Sequence, residues 1–381
     1  MKMKYLYSAL ILLAGLGSCT YPYDPDISTE TDKTLIVDGE ILVGGRSTIR
    51  LSYLTELDQV SANVMHPRGK AWIEYDQGNR YNSPSSALAS EISIPMKDAV
   101  AGHEYRAVIE VDGQTYASDW VLANPAPVIN NIQFAADEKD VTVYVDVDAE
   151  KSHTGYMGFS YEETWMFHAD YIPEYVVNPD SWSYSMLMTT WPYYWCYRTV
   201  ESQQLVLLDY SSLDGPRTKY FPVKSFPRTD SRNHQRYSIL VKAYSLSRDT
   251  YLYNKRTQEL SDIGGDLFSP EPGIMVGNLT CQSEPERKVF GLVLAAEVTE
   301  KRAYMNSEFL RVERQDDSFM LAPDPKYPEQ LPLFYYDMNY RPIKMTVIEG
   351  TPVIGWGPHR CINCLEAGGT QERPSFWNDE D

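Results

Sequence analysis

The chain is short of positive charge: Lys and Arg total 34 against 53 Asp and Glu, a net charge of −19. No basic stripe gathers those few cations, which excludes nucleic acid as a partner, because binding to phosphates rests on Lys and Arg displacing condensed counterions. Catalytic signatures are missing as well. No G-x-S-x-G, H-E-x-x-H, G-x-x-x-x-G-K-[ST] or G-x-G-x-x-G occurs, and His66, His103, His153, His168, His234 and His359 accompany no nucleophile pattern. Acid pairs such as Glu162-Glu163 are expected by coincidence among 53 carboxylates. Asp146 and Asp148 share one face of a strand, yet one such pair falls far short of the roughly six to eight oxygens that Ca²⁺ takes. No metal or cofactor is expected. Long apolar runs are also absent, since the run from Leu6 to Leu16 has 11 residues, against roughly 20 for a membrane-spanning helix.

What the chain does contain is apolar and aromatic. Hydrophobic residues make up 43% and aromatics 13% of its 381 residues, enough to fill sizeable cores, so global disorder is excluded. That length suits two or three domains at roughly 150 residues each. The N-terminus reads as an export signal over residues 1–18, with Lys2 and Lys4 before the short apolar run. It closes in Leu16-Gly17-Ser18-Cys19, which is similar to a lipobox, so Cys19 is the expected lipidation site. Cleavage before Cys19 leaves 32 cations against 53 anions, a charge of −21. Residues 19–33 lack an apolar period and carry Pro22 and Pro25, as an extended tether would.

Beyond Cys19 the sequence holds Cys196, Cys281, Cys361 and Cys364. An even number in an exported chain points to disulfides. The Cys361-x-x-Cys364 spacing also suits a redox or zinc pair, but it lies between loop-like segments and no second ligand pair completes a zinc site. The preferred arrangement has Cys361 and Cys364 each reaching one of Cys196 and Cys281, stapling the C-terminal segment to the body.

Period-two alternation predicts a mainly β chain of tandem β-sandwich units, immunoglobulin-like or fibronectin-III-like. Residues 34–123 form the first, with strands at Leu35–Val43, Ser47–Tyr53, Lys70–Tyr75, Glu91–Ile94 and a hairpin turning at Asp112-Gly113. Asn124-Pro-Ala-Pro127 is the expected linker. The second unit spans 128–308, with strands at Asp140–Val147, Tyr237–Tyr244 and Val289–Glu297. One helix is expected over 246–263, with Ser245 or Ser247 as its cap. Residues 309–381, rich in Pro and Tyr, form a coil-rich, disulfide-stapled C-terminal segment.

Within the second unit, the segment 155–197 carries 14 of the chain's 48 aromatics. Either these pack against the sandwich or they form an exposed surface for a glycan, peptide or partner protein. On the second reading Trp165, Trp182, Trp191 and Trp195 are the anchors.

Taken together, the lipobox at Cys19, the opening strand Leu35–Glu40, the hairpin from Tyr105 to Tyr116, Gly277-Asn278, Phe290-Gly291 and the ending Cys361-x-x-Cys364, Gly368-Gly369-Thr370, Arg373-Pro-Ser-Phe-Trp377 resemble the exported Bacteroidota lipoproteins of domain of unknown function 4249. Members are commonly encoded beside TonB-dependent receptors. The resemblance implies an outer-membrane lipoprotein that serves such a receptor in nutrient uptake by binding ligand or receptor, and Asp24 and Asp26, soon after Cys19, resemble the surface-export signal of such lipoproteins, which implies the cell surface. It supplies no catalytic residues. A structural adhesin or cell-envelope scaffold is the alternative, and a surface hydrolase the third reading.

Overall fold

The computed structural model describes residues 34–54, 66–78, 80–152, 154–213, 215–263, 277–306, 331–348 and 350–377. The expected signal, Cys19 and the tether lie outside them. The first strands follow the alternation closely: β1 (Leu35–Val43), β2 (Arg46–Tyr53), β3 (Gly69–Tyr75), β4 (Arg80–Asn82), β5 (Glu91–Pro95), β6 (Glu104–Val111), β7 (Gln114–Ser118) and β8 (Val121–Leu122). Asp112 and Gly113 both take positive φ, 51° and 77°, the twist a two-residue hairpin turn requires. Inward residues of the β1-β2-β5 sheet (Val37, Ile41, Ile49, Ile94) meet those of the β3-β6-β7 sheet (Ile73, Tyr105, Ile109, Tyr116) in one buried core. This is a β-sandwich.

The second unit uses β9 (Val128–Ala136), β10 (Asp140–Asp148), β11 (Tyr156–His168), β12 (Tyr175–Val177), β13 (Tyr184–Met186), β14 (Trp195–Glu201), β15 (Val206–Asp209), β16 (Arg217–Pro227) and β17 (Arg236–Leu246). Helix α1 (Arg248–Ile263) follows, capped by Ser247, whose Oγ accepts the Thr250 N–H at 3.1 Å. After it come β18 (Leu279–Cys281) and β19 (Val289–Asn306), then helix α2 (Leu331–Asp337) and the strands β20 (Tyr340–Ile348) and β21 (Thr351–Pro358). The sheet β16-β10-β9 faces β14-β11-β17-β19 across a second core that includes Val143, Val145, Phe159, Trp165 and Ile239. Asp146 and Asp148 serve this unit's strand pairing: Asp146 accepts the Tyr220 N–H at 2.9 Å and Asp148 accepts from Arg217 at 2.7 Å.

Strand β19 joins the two sandwiches and corrects the expected boundaries. It has 18 residues, roughly 60 Å of extended chain, enough to cross both. Its first half, Val289–Glu297, pairs parallel with β1, whereas its second half, Val298–Asn306, pairs antiparallel with β17. Val289–Glu297 therefore belongs to the first unit and not the second, and β18 joins that unit too by pairing with β7. The unit expected at 34–123 is discontinuous. The crossing is tight. Gly291, at φ +109°, passes so close to β1 that an added Cβ would sit 1.8 Å from the Val37 carbonyl oxygen, and a Cβ on Gly277 would meet the Gly291 oxygen at 1.4 Å. Beside them the Asn278 side chain donates to the Val293 carbonyl and accepts its N–H, both at 2.8 Å, completing the edge of β19 as a strand would. The linker is anchored as well, because Asn124 bridges to Ala296.

Two further corrections concern the second unit and the tail. The first residues of the expected insertion 155–197 are β11, which pairs with β14, β15 and β17, so the true excursion from the sheet is 169–194. The tail expected as coil holds α2 and the β20-β21 ribbon.

Candidate functional site

The excursion 169–194 and the C-terminal segment build one small module on the second sandwich. Within it β12 and β13 form a hairpin, and the Glu174 N–H donates to the Ile343 carbonyl at 2.6 Å, setting β12 beside β20. Tyr171 N–H donates to the Cys361 carbonyl at 2.9 Å, and Cys364 N–H donates to Tyr193 at 3.0 Å. Ile343, Cys361 and Ile362 make its apolar centre, against which Tyr171 and Trp191 pack. Cys196, on β14, is disulfide-bonded to Cys364, with Cα atoms 5.7 Å apart. Next to the bridge, Gly369 lies so near that a Cβ there would meet Cys196 Cβ at 2.5 Å. Residues 373–377 then fold onto the outer face of the β17-β19 sheet: Arg302 stacks over Phe376 at 3.5 Å, the Tyr304 hydroxyl donates to the Phe376 carbonyl at 2.8 Å, and Trp377 is buried.

Only one of the expected bridges forms. Cys281 and Cys361 are free and buried. They cannot reach one another, because Cys281 belongs to the core of the first sandwich and Cys361 to the centre of the module. Burial and the neighbouring Asp170 push the Cys361 thiol up to about 11, away from a reactive thiolate.

The four tryptophans do not share a surface. Trp165 is on the inward face of β11, 3% exposed, with its Nε1 donating to Ser231 Oγ at 3.1 Å and the Arg232 guanidinium stacked 4.4 Å from its ring. Strand parity puts it in the core, where it cannot serve as the binding anchor expected from the sequence. Trp182 packs edge-on against Tyr336, with centroids 5.7 Å apart, and Trp191 donates from Nε1 to the Ile362 carbonyl. Both are half-buried within the module. Trp195 alone is exposed, lying edge-on to His168.

What the module presents outward is apolar, with methionine prominent. Met188 is 83% exposed, Val347 65%, Met186 60% and Phe334 58%, with Ile172, Met338 and Met345 also exposed. Met345 and Val347 follow the buried Ile343 along β20 and lie opposite Ile354 and Pro352 on β21. The sequence signal for this surface is Met186-Leu-Met188 together with Met338 and Met345, beside a far denser run of aromatics. Thioethers on flexible stems adapt to apolar partners of varied shape, and concentrated exposed apolar area on a folded chain marks a contact surface.

The model of a family described as Domain of unknown function (DUF4249) matches residues 20–302, covering nearly all of both sandwiches and stopping before α2. No curated protein matches the chain. Among solved structures it is similar to a two fibronectin type-III domain segment from chicken tenascin, at 15% identity over 55% of this chain and 89% of that chain, with a TM-score of 0.15. It is also similar to a trypsin-activated alpha-2-macroglobulin from Escherichia coli, at 10% identity over 57% and 15% of the two chains, with a TM-score of 0.17. At such scores neither likeness adds to the fold, which rests on the strand pairing itself.

Proposed function

We propose, for a chain that belongs to the DUF4249 family, that it is an outer-membrane lipoprotein anchored through Cys19 at the cell surface and accessory to a TonB-dependent receptor in nutrient uptake. It engages the receptor through the exposed apolar residues of the C-terminal module. The supporting observation is the gathering of exposed Met186, Met188, Phe334, Met345 and Val347 on one module. Such a surface suits a protein partner better than open solvent.

The test is affinity purification of the lipidated protein from native membranes. A receptor of the TonB-dependent class should co-purify, and the triple variant Met186→Gln, Met188→Gln, Phe334→Gln should lose it while keeping a native circular dichroism spectrum. Recovery of the receptor with the folded triple variant at the wild-type level overturns the docking assignment. Absence of lipid label on wild-type protein, or its persistence in Cys19→Ser, overturns the anchor.

A further inference from the structure

We propose that the cleft between α1 and the β8 edge of the first sandwich binds a neutral oligosaccharide. This site lies apart from the docking face, and the inference does not depend on the receptor assignment.

The cleft has a volume of about 1150 Å³, lined from one side by residues around β8 and from the other by α1. That is slightly above the range of small-ligand sites, roughly 300–1,000 Å³, and suits several linked units more than one.

A chain of contacts on the outer face of the first sandwich holds one wall in place. Arg80 stacks on Trp72 at 4.3 Å, Trp72 Nε1 donates to Glu74 at 3.1 Å, and Arg106 pairs with Glu74 through Nη2 at 2.6 Å and Nε at 2.7 Å. Arg106 in turn lies 4.7 Å from the ring centre of Trp120. The guanidinium thus fixes an indole that remains 39% exposed and lines the cleft. This fixed indole is a preformed stacking wall, with little entropy left to lose on binding.

Helix α1 supplies the facing wall for a similar reason. Its opposite side is held by Tyr251 packed at a tilt against Tyr156, with centroids 4.6 Å apart, and by Gln258 donating to the Leu205 carbonyl at 2.6 Å. Asp249, Tyr253 and Arg256, spaced four and three apart, consequently fall on the cleft side.

The lining selects the ligand class. It carries four carboxylates, including Asp119 and Asp249, beside two guanidiniums, Arg248 and Arg256. A phosphate or other anion meets excess negative charge there, and an apolar ligand leaves these groups desolvated without partners. Sugar hydroxyls satisfy both, donating to carboxylates and accepting from guanidiniums, while the C–H face of a pyranose ring stacks on Trp120.

Full-length protein in detergent is titrated calorimetrically with cellohexaose, maltohexaose, xylohexaose and mannohexaose. At least one should bind saturably. Trp120→Ala should weaken that binding by about tenfold or more, in line with the loss of one stacked ring, and Arg256→Ala several-fold, with Met188→Gln unchanged. Arg256→Ala and Tyr253→Ala carry the measurement should Trp120→Ala not fold. The proposal is overturned if none of the four produces heat, if the cleft variants bind as the wild type does, or if a peptide digest displaces the sugar at lower concentration. Because no receptor is present in this assay, its failure leaves the docking assignment standing, and the reverse also holds.

Discussion

Cys364 is bonded to Cys196 across 168 residues of sequence, while Cys361, three positions earlier, stays a buried thiol. The bridge ties the module to β14 and closes a long loop, so its removal acts mainly through the unfolded state. Chain-entropy arguments give on the order of 2–5 kcal/mol for such a bridge. Cys364→Ser should lower thermal stability accordingly and make the segment after β21 more sensitive to protease. Peptide mapping of denatured, non-reduced protein should find the 196–364 link with Cys281 and Cys361 alkylated. A 281–361 or 361–364 link would sink the assignment.

The passage of β19 beside β1 is equally specific. A methyl group on Gly291 has no room beside the Val37 carbonyl, and its φ of +109° disfavours any other residue. Gly291→Ala should therefore cost on the order of 3 kcal/mol or more, because it parts two paired strands and does not merely strain a loop. Gly113→Ala is the useful contrast, since nothing lies within 4 Å of its added Cβ and only the turn conformation opposes it. Denaturant midpoints of the two variants should differ clearly. Equal losses would refute the close-approach explanation.

The strands were legible because they are half-buried: alternation at β1, β2, β6 and β10 marks the core face in the order of residues alone. Pairing partners were not legible. Val289–Glu297 alternates as well beside β1 as beside β17, and only the length of the unbroken strand and the glycine at 291 distinguish the two. Trp165 misled for the opposite reason, since its membership of an aromatic-rich segment outweighed its odd-numbered parity with Phe159 and Phe167, which sends it inward. The Arg373-to-Trp377 motif carries no local sign of its role. Its rings sit against Arg236 and Arg302 on the sheet, a partnership some 70 to 140 residues apart that no local pattern reveals.

Glu163 is the buried charge on which the second core depends. It is 1% exposed, accepts the Tyr237 hydroxyl at 2.9 Å and pairs with Arg232 at 2.9 Å and Lys224 at 3.4 Å. Removing the carboxylate leaves the buried Tyr237 hydroxyl without its acceptor and leaves Arg232 with Asp230, at 2.9 Å, as its remaining carboxylate. Breaking a buried pair from one side costs about 3–5 kcal/mol. Glu163→Ala should show that loss in urea denaturation, and Glu163→Gln a smaller one because the amide oxygen still accepts from Tyr237. Should Glu163→Ala match wild-type stability, the network contributes nothing.

His234 gives the protein an acid limit above the range where carboxylates titrate. Its ring stacks on His168 with centroids 4.4 Å apart, and His168 stacks on Tyr194 at 4.9 Å. Burial first, and then the neighbouring His168, push its imidazole down to about 4, with Asp230 opposing. The unfolded chain therefore takes up this proton before the folded one does. Stability is intact above the ordinary value of 6.5 and falls as pH drops from there toward 4, by about 2 kcal/mol between about pH 7.5 and about pH 5. Denaturant midpoints of wild type and His234→Gln at those two pH values isolate the effect. The glutamine variant cannot take the proton, so its pH dependence should be shallower by that amount. Parallel pH profiles would show that protonation at His234 is not what limits the fold in acid.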